Sequence, residues 1–352
     1  MEKKKIKFAA LSLSPAVDRV IALHSGLSPG MLNRAGATRL DPGSKGLNVA
    51  RMLSHLVEEV EYHSFTGGVY GEWYEREISR DISLSYFTKT VSGVRENIKI
   101  IDGDGVCTEL NTRAGPYSED EIAALKKSLL ETDAGAVCLC GSIPQGVEKY
   151  VYNSLITELH EKGKKCILDC DGEAMRLGIE AFPDIIKPNY HEAEELFLSS
   201  GLHISKERKL RVVENPWENA GKSRGKPSDE VKKAAGMCGE ISGFFSVRVL
   251  CTLGKDGAIC AAPDSDEVLF CPAPHVLLRG FAGAGDSFLG AYISSFFSSS
   301  YENAEKREEA SLVFAVAAGS AKVTLEGSLI PDAATVGGLL SDQINKQYLK
   351  GI

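Results

Sequence analysis

Ala136-Val137-Cys138-Leu139-Cys140 and, after a helix-like stretch, Cys166-Ile167-Leu168-Asp169 decide how this chain folds. Each is a short apolar run, the second closed by Asp169, the pattern of a strand covered on both faces. Between them Lys149–Glu161 reads as a helix, ended by Gly163. Strand, helix and strand in that order belong to a parallel sheet with helices packed on both sides. The same alternation continues outward. Ile6–Leu13, Ile185–Ile186 and Val247–Thr252 read as further buried strands. Gly46–Val57 reads as a helix with Val49, Met52, Leu53, Leu56 and Val57 on one face, and Glu121–Leu130 as another. Helices are also expected over Ala284–Phe297, Glu302–Val323 and Asp332–Tyr348.

Two places break the rhythm. Asp18–Leu23 and Ala35–Leu40 are extended with no helix between them, and Arg95–Ile101 with Val106–Asn111 form a hairpin around Asp102-Gly103-Asp104-Gly105. Four such strands make a small second sheet able to cover a cleft. The expected organisation is an α/β domain of residues 1–13, 42–92 and 114–352, with a β-sheet lid from 14–41 and 93–113. Residues 201–230 read as a surface insertion: Lys206 to Arg211 is basic, and Asn215 to Asp229 is rich in Pro, Gly, Asn and charge.

Composition bounds the function. The 352 residues carry 40 Lys+Arg against 48 Asp+Glu, a net charge of −8, with 43% hydrophobic residues. These are ordinary globular values that exclude disorder and fibrous classes and argue against a nucleic-acid surface. Met1–Lys5 before Ile6–Leu13 imitates a signal peptide, but Lys7, Ser12 and Ser14 interrupt it and Pro15 and Asp18 follow, so a first core strand is expected. The longest later apolar run, around Leu312 to Ala321, is too short to span a bilayer. The nine cysteines lack any C-x-x-C pair and read as buried thiols of a cytoplasmic protein.

Chemistry concentrates in glycine-rich turns. Gly283-Ala284-Gly285-Asp286-Ser287 opens an apolar helix, so backbone N–H groups and the positive helix end face an anion with a carboxylate beside them. That suits phosphoryl transfer with Asp286 as proton acceptor; an ordinary helix start capped by Asp286 has the same spacing. Asp41-Pro42-Gly43-Ser44-Lys45-Gly46-Leu47-Asn48 is a second such turn, with Lys45 as a fixed cation and Asn48 as a donor and acceptor; a plain loop with a solvated lysine reads the same way. Arg95, Asn97 and Lys99 share one strand face that could grip a phosphate. Lys187-Pro188-Asn189 with Glu192 one turn on fits either cation handling or capping. Pro216 to Ser223 resembles a phosphate-binding loop, but Pro216 replaces its first glycine, and Gly225 and Pro227 prevent a following helix.

Together the motifs resemble the PfkB-type carbohydrate kinases of the ribokinase-like group, in order along nearly the whole chain. Ser14-Pro15-Ala16-Val17-Asp18 resembles N-P-A-x-D, and Asp41 to Asn48 resembles D-P-G-G-K-G-x-N. Arg95 to Ile100 resembles R-x-N-x-K-I, Thr108 to Asn111 T-E-I-N, and Gly141 to Gly146 G-S-L-P-x-G. Lys187 to Glu192 resembles K-P-N-x-x-E, Thr252 to Gly257 the S/T-x-G-x-x-G nucleotide segment, and Gly283 to Ser287 the G-A-G-D-S signature.

The resemblance implies a three-layer α/β/α sandwich with a mostly parallel central sheet and a small β-sheet lid that pairs two subunits into a homodimer. It implies Asp286 as the base and Gly283, Ala284 and Gly285 as the anion hole. Asp18, Gly43, Ser44 and Asn48 would hold sugar hydroxyls, and Lys45, Arg95, Lys99 and Ser142 a sugar phosphate. Lys187, Thr252, Gly254 and Gly257 would lie along ATP, Gly319 and Ser320 near the adenine, and Asn189 and Glu192 near Mg2+. Two cations in the lid hairpin plus Lys45 suit a phosphorylated sugar. The forms of the motifs are most similar to the 1-phosphofructokinase branch, with fructose 1-phosphate as acceptor, and share much with the tagatose-6-phosphate kinases. Ser14, Ser44 and Phe281-Ala282 depart from the family pattern.

Overall fold

The computed structural model describes residues 6–57, 59–205, 208–214, 216–217, 227–280, 282–298 and 303–340. The strands, in chain order, are β1 (Phe8–Ser12), β2 (Ala16–Leu23), β3 (Ala35–Gly43), β4 (Val60–Gly67), β5 (Leu84–Thr90), β6 (Arg95–Ile101) and β7 (Cys107–Asn111), then β8 (Ala136–Cys140), β9 (Lys165–Asp169), β10 (Ile185–Ile186), β11 (Lys209–Val212), β12 (Arg248–Thr252), β13 (Gly257–Ala261) and β14 (Glu267–Pro272). The helices are α1 (Lys45–Ser54), α2 (Gly71–Ser79), α3 (Glu119–Leu130), α4 (Val151–Glu161), α5 (Gly172–Gly178), α6 (Tyr190–Ser199), α7 (Asp229–Phe245), α8 (Ala284–Ser298), α9 (Ala304–Lys322) and α10 (Ala333–Gly337).

Ten strands form one sheet in the order β11-β14-β13-β12-β10-β9-β8-β1-β4-β5, parallel except at β13. Its strands divide their side chains between two cores. Ala136, Cys138 and Cys140 of β8 pack with α1, α8 and α9, whereas Val137 and Leu139 pack with α4 and its neighbours. That alternation is why the strand is apolar at every position, and it makes the molecule a three-layer α/β/α sandwich. Eight cysteines are buried and one, Cys107, is exposed. No helix among the described residues is long and apolar enough to cross a membrane.

The irregular strands form a separate four-stranded sheet, β3-β2-β6-β7. Its register places Asp18 beside Asn97 and Val20 beside Lys99, so the β6 cations share a face with Asp18.

The structure departs from the sequence expectation in several places. β4 and β5 extend the sheet where no strands were expected. Within 201–230, Lys209–Val212 is an edge strand parallel to β14, and Trp217 is buried with its indole N–H donated to Pro272 O at 3.1 Å. An apolar anchor and a paired strand tie part of that segment to the sheet, so it is not wholly a surface excursion. The expected Asp332–Tyr348 helix is seen as Ala333–Gly337; residues 341–348 lie outside the described residues, as do Met1–Lys5, Phe281, Lys206 and most of Pro216 to Ser223.

Candidate active site

The parallel strands end on one side of the sheet, and polar groups gather there, as open α/β sheets place them. Asp169 closes β9, Lys187 follows β10, Ser142 follows β8 and Thr252 closes β12. Two helix N-termini join them. Gly290 allows α8 to lie against α1, because a Cβ there would come 2.8 Å from that of Met52. Gly319 does the same between α9 and α8, where a Cβ would sit 3.2 Å from Ala284 O.

Asp286 lies in the first turn of α8 and is 7% exposed. Asn48, in the first turn of α1, donates to its Oδ2 at 2.8 Å. Burial first, then the negative charge of Asp169, push the Asp286 carboxyl up to about 6; the Asn48 hydrogen bond, Lys187 and Lys45 oppose the rise. Gly283 precedes it at φ 80, a left-handed conformation, and a Cβ there would come 3.2 Å from Asn48 Nδ2. At Gly285 a Cβ would come 3.4 Å from Lys187 Nζ. A carboxylate of raised basicity thus sits at a helix N-terminus with a cation alongside.

Asp169, fully buried, organises the cations. Its Oδ1 receives Lys187 Nζ at 3.2 Å and Lys45 Nζ at 3.4 Å, while Oδ2 is buried without a partner. Asp169 is the main cause of the raised Lys45 pKa.

On the small sheet, Asp18 accepts from Asn97 Nδ2 at 2.9 Å and from Lys99 Nζ at 2.7 Å. A Cβ at Gly43 would meet that carboxylate at 3.0 Å, which explains the glycine. Arg95 donates Nη1 to Thr112 O at 2.8 Å, burial lowers its pKa, and its buried Nε is unpartnered. Ser142 is exposed; its carbonyl accepts from Ser14 Oγ at 2.7 Å.

Thr252 N bonds Pro188 O at 3.1 Å, bringing the Lys187 and Thr252 segments side by side. A cavity of about 230 Å³ opens there, lined by Asn189, Tyr190, His191, Thr252, Gly254 and Asp256 among others.

A family model, that of the pfkB family carbohydrate kinases, matches residues 11–334. The chain belongs to the PfkB family of carbohydrate kinases. It is 29% identical over 292 residues to a 1-phosphofructokinase of Rhodobacter capsulatus, covering 82% of this chain and 83% of that one. It is 27% identical to the ATP-dependent 6-phosphofructokinase isozyme 2 of Escherichia coli, covering 92% and 94%. Among solved structures, the Escherichia coli phosphofructokinase-2 in complex with substrates and products superposes with a TM-score of 0.78 at 23% identity, covering 98% of this chain and 100% of that one. The fold is ribokinase-like, and this PfkB kinase is a phosphotransferase with an alcohol group as acceptor.

Several sequence-derived residues of this kinase stand apart from the cleft's free polar groups. Ser44 Oγ accepts from Leu47 N at 3.2 Å as the α1 N-cap and lies 2.8 Å from Ser12 Oγ and 3.3 Å from Tyr62 OH. A cap needs that hydroxyl turned into the chain, so it is not left free for a sugar. Asn189 and Glu192 form a capping box, which leaves one Glu192 oxygen outside it. A Cβ at Gly257 would come 2.1 Å from Cys271 O, so that glycine serves the β13–β14 contact. Sequence reasoning passed over Asp169, although an acid at the carboxyl end of an apolar strand of a parallel sheet is itself a site signal.

Proposed function

We propose that this PfkB kinase transfers the terminal phosphoryl group of ATP to the 6-hydroxyl of fructose 1-phosphate, giving fructose 1,6-bisphosphate and ADP. The observation that carries the reading is Asp286: a buried carboxylate with raised pKa at a helix N-terminus, beside two cations that share Asp169.

Asp286 accepts the proton of the acceptor hydroxyl as it attacks. The N–H groups of Gly283, Ala284 and Gly285 receive the charge of the moving phosphoryl. Asp18 and Asn48 hold sugar hydroxyls against the small sheet, with Gly43 providing the close approach. Lys99, Arg95 and Lys45 surround the sugar's own phosphate, with Ser142 at the rim. ATP lies across Lys187, Thr252 and Gly254, with its adenine toward Gly319 and Ser320.

Asn189 and Glu192 would hold Mg2+: Glu192 keeps a carboxylate oxygen outside the capping box and Asn189 fixes its direction. Bound with ATP, Mg2+ offsets phosphate charge.

The small sheet acts as a lid and as the seam of a homodimer in the cytoplasm. Its face away from Asp18 presents Ile21, Ile98, Ile100 and Leu110, and Leu110 is 56% exposed.

The test is a panel of fructose 1-phosphate, tagatose 6-phosphate and fructose 6-phosphate compared by kcat/KM for ADP release. Fructose 1-phosphate is expected to lead by about tenfold or more. A lead for either competitor reassigns the substrate, and no ADP release with any sugar phosphate overturns the reading.

A further inference from the structure

Lys322 is the last residue of α9 and is 1% exposed, among the largest wholly buried side chains. Its ammonium donates to Gly327 O at 2.7 Å. Its stem passes behind the 283–286 turn, since a Cβ on Gly283 would lie 3.4 Å from Lys322 Cε and 3.2 Å from Asn48 Nδ2. The far side of its anchor is the small sheet: Gly327, at φ 58, packs so tightly on Arg39 and Asp41 that a Cβ there would overlap Arg39 Nη2. The charged groups around it are Lys99 and Arg39, which disfavour its charge, and Asp286 and Asp41, which favour it; burial is the largest influence and lowers its pKa.

A lysine in the last turn of a helix ordinarily reaches water or a terminal carbonyl. This one is wholly buried, and the two carboxylates near it do not offset its burial and the two neighbouring cations, so its charge opposes folding, and an apolar side chain of like volume would fill the space at lower cost. What its position offers is a fixed positive charge behind the turn where negative charge accumulates during transfer.

We propose that Lys322 is a positioning residue for the reaction, a tethered monovalent cation that links the Gly283–Asp286 turn to the Gly327 loop and stabilises the transferring phosphoryl group through that turn. This rests on the 283–286 turn being the transfer site. The ammonium does not exchange protons in the step; one N–H is held by Gly327 O and the charge acts through space.

The test is Lys322→Ala in the full-length protein, assayed with ATP and the best sugar phosphate of the wild type. We expect kcat to fall about tenfold or more with KM for ATP within about threefold. Ammonium or potassium added to the assay restores turnover in Lys322→Ala by refilling the vacated space and leaves the wild type unchanged. Lys322→Met fills the space without charge, loses turnover equally, and is not rescued. It also provides the reading if the alanine cavity prevents folding. Lys322→Met within about threefold of wild-type kcat, or a folded Lys322→Ala that no monovalent cation rescues, overturns the proposal. A wild type without kinase activity on any sugar phosphate removes the transfer site itself, which distinguishes the two failures.

Discussion

The Asp286 carboxylate and the Asn48 amide meet at 2.8 Å, joining the first turns of α8 and α1 across 238 residues of chain. The pair sets how basic the site is, because Asn48 donates to the charged form of a carboxyl that burial otherwise holds up at about 6. With Asp286 as the proposed base, activity needs it ionised, so kcat/KM is expected to fall on the acid side, approaching tenfold per pH unit. Asn48→Ala removes the hydrogen bond that favours the charged form, and the acid limb moves to higher pH. Profiles of variant and parent on the same substrates cancel the substrates' own titration. An unmoved limb would detach Asp286 from the pH dependence.

The same raised pKa makes the charged Asp286 a liability to the fold. Its folded value lies above the ordinary 3.8, so its contribution to stability is full below that value and is lost as pH rises through about 6. Asp286→Asn keeps the shape without the charge. Urea unfolding at pH 8 is expected to show the variant more stable by on the order of 1–3 kcal/mol, with the gain vanishing toward pH 4. A variant less stable at pH 8 would contradict the burial argument.

Under the proposed function, Lys99 separates sugar from nucleotide. It lies on the small sheet with Asp18, distinct from the Lys187–Thr252 side of the cleft. Lys99→Met is expected to raise KM for the sugar phosphate by about tenfold or more while KM for ATP changes less than about threefold. A parallel rise in both would place Lys99 in neither role.

Ser44→Gly tests the serine that departs from the family pattern. Loss of the α1 cap should lower stability by roughly 0.2–1 kcal/mol, read as a lower Tm. The sugar-phosphate KM stays within about threefold. A tenfold rise would restore the sugar contact expected from the sequence.

What was legible in the sequence follows the physics of each segment. The 136–140 and 166–169 strands read plainly because both their faces are apolar. β4 did not: Glu61, His63, Ser64 and Thr66 are buried in it, and the strand hides as polar sequence because those groups are satisfied by Thr132, Ser128 and backbone carbonyls. The Gly283 turn was legible as a turn, whereas Asp41–Gly43 is the end of β3 and runs through Ser44 straight into α1; the structure brings Asp286, Asn48, Lys45 and Lys187 to one place. Asp169 and Lys322 were not legible, because a strand-ending acid and a helix-ending lysine have ordinary local patterns and acquire meaning only from neighbours distant in the chain. β11 was missed because an edge strand of four residues in charged surroundings has the composition of a loop.

The most direct test is turnover by Asp286→Asn measured beside binding of ATP and sugar phosphate to the same preparation. Both ligands should bind within about threefold of the parent while kcat falls by about 10²–10⁴-fold, the share ascribed to a general base. Near-parental turnover with intact binding would contradict the assignment of Asp286 as the base, and with it the phosphoryl-transfer site built around it.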